Sequence, residues 1–143
     1  MRTVEQLLHV KGGEIWSIAP KETAYRALQI MAEKNVGALL VMENKKVVGV
    51  FSERDYARKV ILKDKSSKNT SVSELMTPEV VYIDAAATLE KSMALMTSKR
   101  IRHLPVLQNE RLIGIVTLGD VVRQLISDQQ FAIRELEKYI TGG

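Results

Sequence analysis

The chain contains no cysteine, which excludes disulfide bonds, thiolate catalysis and cysteine-ligated zinc together. A reducing compartment fits that absence, and the cytoplasm is the expected location. Histidine is scarce as well: His9 and His103 are the only two, too few to build a metal site, so no metal is expected. Aromatic residues make up 5% of the sequence, so the interior has to be assembled from Val, Ile, Leu, Met and Ala rather than from stacked rings. No apolar run approaches the ~20 residues needed to span a bilayer, and the opening Met1-Arg2-Thr3-Val4-Glu5-Gln6 lacks the apolar core of a secretory signal. A soluble protein without a membrane partner is expected. Activated nucleophiles, acid and base pairs and carboxylate clusters are missing too, so the chain does not read as an enzyme.

What the sequence does hold is a duplication. Residues 10–62 reappear 65 positions later without insertion or deletion. Identical pairs include Glu14/Glu79, Ile18/Ile83, Thr23/Thr88, Met31/Met96, Leu39/Leu104, Val41/Val106, Asn44/Asn109, Gly49/Gly114, Asp55/Asp120 and Arg58/Arg123. A unit of roughly 60 residues sits near the lower limit for an independent core, so the repeats are expected to share one and to pack about a pseudo-twofold axis.

Each repeat predicts the order strand, helix, strand, strand, helix. Glu14 to Ile18 reads as a strand stopped by Pro20, which has no N–H to donate. The helix after it carries Ala24, Ala27, Leu28 and Met31 at helical spacing, matched later by Leu89, Ser92, Met93 and Met96. Two apolar runs around Glu43-Asn44-Lys45-Lys46, and again around Gln108-Asn109-Glu110-Arg111, read as hairpins. A second helix starts near Ser52 and near Thr117. The fold class is therefore α/β (α+β), two β-α-β-β-α repeats with a C-terminal helical extension. The expected divisions are residues 1–65 for the first repeat with its lead-in, 66–74 for a linker, 75–127 for the second repeat and 128–143 for the tail. Lys63 to Ser73 reads as exposed. In the tail, Phe131, Ile133, Leu136, Tyr139 and Ile140 form an apolar side that covers the core or joins a second subunit, and Gly142-Gly143 end the pattern.

The residues with the most chemistry are Ser52 and Asp55, repeated as Thr117 and Asp120. A hydroxyl followed three positions later by an acid, directly after a strand, is a capping-box signature, and the acid also favours the positive end of the helix dipole. The same geometry has a second use. A helix N-terminus attracts phosphate, and an aspartate one turn in can accept bonds from two vicinal hydroxyls, so the pair suits opposite ends of a ribose 5′-phosphate. The formal net charge is +4, with a local excess at Arg54, Arg58, Lys59, Lys63, Lys65 and Lys68 that reads as a solvated helix face and a basic loop. Neither an aromatic-interleaved platform nor a recognition helix supports nucleic acid as a partner.

The duplicated glycine-apolar-apolar-hydroxyl-x-x-aspartate stretch, with Arg102-His103-Leu104-Pro105-Val106 and Val72-Ser73-Glu74-Leu75-Met76-Thr77-Pro78, resembles a tandem pair of CBS (cystathionine β-synthase) domains, the unit called a Bateman module. The resemblance covers nearly the whole chain. It implies a non-catalytic regulatory module with two related clefts, each for a nucleotide bearing adenosine: AMP, ADP or ATP, sometimes NAD or S-adenosylmethionine. In one, Thr117 and Asp120, with Gly119 between them, would hold phosphate and ribose. Arg102 and His103 would add charge or donors there, and Lys11, Trp16, Val36, Gly37 and Ala38 would wall the adenine. In the other, Ser52, Asp55 and Arg54 would act against Met76, Thr77, Val81, Ile101 and Arg102. The first repeat has Gly37-Ala38 where the second has Arg102-His103, which weakens phosphate binding in that second cleft. The resemblance also implies a homodimer and an unidentified regulated protein. Two alternatives stand beside it: a dimerisation or docking module in which the motifs are only helix caps, and nucleic-acid binding through the basic linker.

Overall fold

The computed structural model describes residues 2–141, so the expectation for Gly142-Gly143 lies outside the described residues. The chain forms two compact units. One comprises Ile15–Val80; the other comprises the residues up to Glu14 together with those from Val81 onward. Each has its own apolar cluster rather than one shared core. Ile18, Ala24, Ala27, Met31, Leu39, Val41, Phe51, Val60, Val72 and Leu75 fill one. In the other, Val4, Leu7 and Leu8 join Ile83, Ala85, Leu89, Met96, Leu104, Val106, Val116 and Val121. The split departs from the linear repeats because the segment ahead of each repeat packs in the unit of the other.

Within the Ile15–Val80 unit, β1 (Ser17–Ile18) runs parallel to β2 (Ala38–Glu43), which pairs antiparallel with β3 (Lys46–Ser52). β1 is shorter than expected: only Ser17 and Ile18 are in register, with Leu40 and Val41, before the chain reaches Pro20. α2 (Ala24–Lys34) starts at the Thr23 cap and ends at Asn35 in the left-handed region. Asn44 and Lys45, both at positive φ, close a two-residue hairpin whose twist matches its strands. After β3, α3 (Glu53–Tyr56) gives way to a π-helical stretch, Ala57–Ile61, which the sequence did not announce.

The supposed exposed linker is exposed only in its first half. Thr70 and Val72 are buried, and α4 (Val72–Leu75) sends Val72 and Leu75 into the core. Backbone bonds fix the segment: Ala24 N–H donates to Thr70, Val72 N–H to Glu22 and Ser73 N–H to Pro20. The physical reason is the apolar i, i+3 pair itself, which has more to gain from burial than the polar residues before it.

The other unit repeats the design. β4 (Ile83–Asp84) runs parallel to β5 (His103–Gln108), which pairs antiparallel with β6 (Arg111–Thr117). α5 (Leu89–Lys99) follows the Thr88 cap, and Asn109 and Glu110 close the hairpin at positive φ. Register shifts fall at Val41/Met42 and Val106/Leu107, equivalent positions of the repeats. Two features break the equivalence. α1 (Val4–Lys11) starts from a capping box, in which Thr3 accepts from Gln6 N–H and Gln6 accepts from Thr3 N–H. α6 (Leu118–Thr141) is one helix of 24 residues, continuous through the expected tail boundary. The tail does not cover the core: every described residue from Gln129 to Thr141 is exposed.

The placement of α4 is testable. Leu75→Ala should lower the unfolding free energy by about 2–5 kcal/mol, as for other fully buried leucines. Lys63→Ala, in the exposed half of the same segment, should stay within about 0.5 kcal/mol. Urea denaturation of both variants separates a core segment from a tether.

Candidate functional site

Two glycines determine what can stand beside the duplicated motif. A Cβ on Gly49 of β3 would lie 2.6 Å from Met76 Sδ and 3.0 Å from the Thr77 carbonyl oxygen. Without that Cβ, Thr77 and Val50 exchange backbone bonds of 2.9 and 3.0 Å, so Met76 and Thr77 lie along β3 just ahead of Ser52. Gly114 of β6 makes the equivalent approach possible, a Cβ there falling 2.9 Å from Leu8 Cδ2. That contact brings the end of α1 alongside β6 and delivers Lys11 to the motif.

At the start of α6, Thr117 and Asp120 bond each other twice. Thr117 N–H donates to Asp120 Oδ2 and Asp120 N–H donates to Thr117 Oγ1, both at 3.1 Å. Lys11 Nζ sits 2.6 Å from Asp120 Oδ2 and also donates to the Ile115 carbonyl at 2.7 Å. Arg123 Nη2 donates to Asp120 Oδ1 at 2.8 Å. Leu7, Val10, Lys11, Asp120, Arg123 and Gln124 line a concavity of about 280 Å³ at this point. His103 is the cross-strand partner of Thr117, and the Arg102 carbonyl accepts from Leu118 N–H, so both neighbour the motif. Gly119 lies against the Arg123 guanidinium, 3.2 Å from where a Cβ would stand. Val81 and Ile101 pack at the edge of the same unit's core.

At the start of α3, the capping box is equally complete. Ser52 N–H donates to Asp55 Oδ2 at 3.0 Å, and Asp55 N–H donates to Ser52 Oγ at 3.1 Å. The cation differs in origin. Met76 occupies the position equivalent to Lys11, and Lys59 instead reaches Asp55 Oδ1 at 3.3 Å from one turn further along the same helix, while donating to the Leu75 carbonyl at 2.9 Å. Arg54 is exposed in the first turn. Ala38 pairs across the sheet with Ser52, and the Gly37 carbonyl accepts from Glu53 N–H at 3.0 Å. Val36 and Gly37, with Leu28, Met31, Ala32, Asn35, Glu53 and Tyr56, line a depression of about 570 Å³. Trp16 is half-buried at the core edge, with Lys34 Nζ 4.5 Å from its ring centre.

The expected site residues therefore sort by unit. Lys11, Val81, Ile101, Arg102, His103, Thr117, Gly119 and Asp120 belong to one. Trp16, Val36, Gly37, Ala38, Ser52, Arg54, Asp55, Met76 and Thr77 belong to the other. Lys59 and Arg123 were not singled out as partners of the aspartates, although their i+4 and i+3 spacings from Asp55 and Asp120 carry that signal.

Burial alone would raise the Asp120 carboxyl. The hydrogen bond and charge of Lys11, joined by the bonds from Thr117, outweigh it and hold the group below its ordinary value. A carboxylate lowered on folding stabilises the native state above its unfolded pKa of about 3.9, and that contribution is lost as pH falls through the folded value. The stability gap between wild type and Asp120→Asn should thus stay level from about pH 7 to 5 and narrow below about pH 4, read by urea unfolding across that range.

The comparisons agree with this architecture. The CBS domain family model matches residues 12–62 and 72–127. A mitochondrial CBS domain-containing protein of Arabidopsis thaliana is 38% identical over 137 residues, 92% of this chain; the chain spans 66% of that relative's length. A CBS-domain protein of Burkholderia ambifaria, described as a putative signal-transduction protein, superposes with a TM-score of 0.86 at 44% identity, over 90% of this chain and 96% of its own. A CBS domain pair solved in complex with 5′-methylthioadenosine and S-adenosyl-L-methionine shares the fold, with a TM-score of 0.79 at 22% identity over 90% of this chain and 98% of its own. No helix among the described residues is long and apolar enough to cross a membrane. With both repeats matched and the duplicated sheets and helices in place, the chain belongs to the CBS domain family.

Proposed function

We propose that the chain is a non-catalytic regulatory module that binds nucleotides containing adenosine, AMP, ADP, ATP or NAD, and signals by changing its conformation or association. The observation that carries this reading is the cluster at Asp120. A half-buried carboxylate, held ionised by Lys11 and Thr117 against the effect of burial and bonded also by Arg123, stands one turn inside a 24-residue helix. Vicinal ribose hydroxyls can take over acceptor positions on Asp120, and Lys11, freed from it, then faces the phosphate. Phosphate in turn suits the N-terminus of α6, with Thr117, Arg102 and His103 alongside. Ser52 and Asp55 present the weaker version, because Met76 replaces the lead-in lysine and Lys59 approaches from the helix itself.

One observation favours a second reading, a dimerisation module without a physiological nucleotide. Both hydroxyl and aspartate pairs are closed capping boxes that satisfy first-turn amides by themselves.

Thermal unfolding with millimolar AMP, ADP, ATP, NAD, NADH and S-adenosylmethionine separates the two readings. Ligand at a hundred times its dissociation constant adds about 2.7 kcal/mol, several degrees in midpoint for a domain of this size. We expect a shift with at least one adenosine ligand that Asp120→Ala abolishes and Asp55→Ala leaves in place. No shift with any of them, from protein free of co-purified nucleotide, rejects the nucleotide reading.

A further inference from the structure

The second half of α6 has no reason to be helical on its own. Residues from Gln129 to Thr141 are all exposed, and a free helical stretch this short is marginal in water. Its last side-chain tether to the unit is at Asp128, which Arg2 grips through both carboxylate oxygens at 2.9 and 3.1 Å. Yet the exposed positions include Ile133 at 54%, Leu136 at 63% and Ile140 at 83% exposure. They continue a stripe from Val122, Ile126 and Gln129, giving spacings of four, three, four, three and four residues. Phe131 falls on the opposite side of the helix and is not part of it.

That spacing is the 3.5-residue period of a coiled-coil seam rather than the broader stripe of a helix packed on a globular core. We propose that α6 forms an antiparallel coiled coil with α6 of a second copy of this chain, an interface independent of the nucleotide reading. A seam of this period fits another helix of the same period, and a self-complementary seam closes a twofold dimer. Charge sets the direction. Antiparallel pairing about residue 131 places Val122 opposite Ile140, Ile126 opposite Leu136 and Gln129 opposite Ile133. It also brings Arg123 beside Glu137 of the partner twice over. Parallel pairing places Glu137 beside Ala132 and leaves Arg123 without an acid. Arg123 is 73% exposed, so its guanidinium can reach an acid of the partner.

The absence of cysteine makes the test clean. Sedimentation of the full chain should show a dimer, and Ile133→Lys should weaken association by roughly 100-fold or more while far-UV circular dichroism still reports a folded unit. Ile126→Cys and Leu136→Cys proteins should each fail to cross-link with themselves, since like positions lie about 15 Å apart along an antiparallel pair. Mixed, they should form a disulfide between 126 and 136. Self-linking of either protein overturns the antiparallel register. A wild-type monomer, or a dimer unaffected by Ile133→Lys, overturns the interface.

Discussion

The close packing of a crossing segment against a glycine in the central hairpin governs both sites. At Gly49 and Gly114 a methyl group would enter space already taken, by Met76 and Thr77 in one unit and by Leu8 in the other. The crossing segment comes from the start of the other repeat and the residues just before it, so each unit is completed by sequence from the head of its partner repeat. Val4, Leu7 and Leu8 finish one core, and Val72 and Leu75 finish the other. That exchange supports two cores of a size that roughly 60 residues would barely sustain alone. It also delivers a residue from outside the repeat to the hydroxyl and aspartate motif. Packing and site chemistry rest on the same contact.

Duplication followed by divergence is visible at that delivered residue. Lys11 and Met76 stand at equivalent positions, but only Lys11 brings a charge to its aspartate. Lys59 supplies the charge to Asp55, at 3.3 Å rather than 2.6 Å. The helices diverge in step. After Asp55 the helix passes into a π-helical stretch, a distortion common at functional sites. After Asp120 it continues unbroken for nearly six more turns, at about 3.6 residues per turn. One repeat places its motif on a short, distorted helix and the other on a long, regular one, so equal roles for the two are not expected.

Local chemistry made most of this legible in the sequence. Asn44 and Asn109 marked hairpins because asparagine tolerates positive φ, and Thr23 and Thr88 sit where helix caps belong. Ser52 with Asp55 and Thr117 with Asp120 predicted the bonds that form. The failures were non-local. Nothing near Val72 says that it joins the cluster of Ala24 and Phe51 rather than solvent, so a polar neighbourhood reads as an exposed linker. Separate cores could not be told from a shared one, because apolar periodicity identifies a buried face but not what lies against it. The helix that starts at Thr3 packs in the unit of the other repeat, a destination that no local pattern gives. Likewise Lys11 was placed near Asp120 by resemblance, whereas its contact depends on Gly114 admitting Leu8.

The long helix joins the two proposed activities in one body. Thr117 and Asp120 lie at its N-terminal end, and the apolar seam begins at Val122, within one turn of Asp120, and runs to Ile140. The 24-residue helix spans about 36 Å, so its first turn and every seam position belong to one element. Arg123 takes part in both, bonded to Asp120 and facing Glu137 across the proposed interface. A ribose that displaces Arg123 from Asp120 leaves its charge to the interface, which strengthens the flanking pair. By reciprocity, association that draws Arg123 toward Glu137 frees an acceptor on Asp120 for the sugar. Nucleotide and second subunit would then favour each other through one shared guanidinium, with a coupling equal to the difference in nucleotide affinity between the associated and dissociated chains.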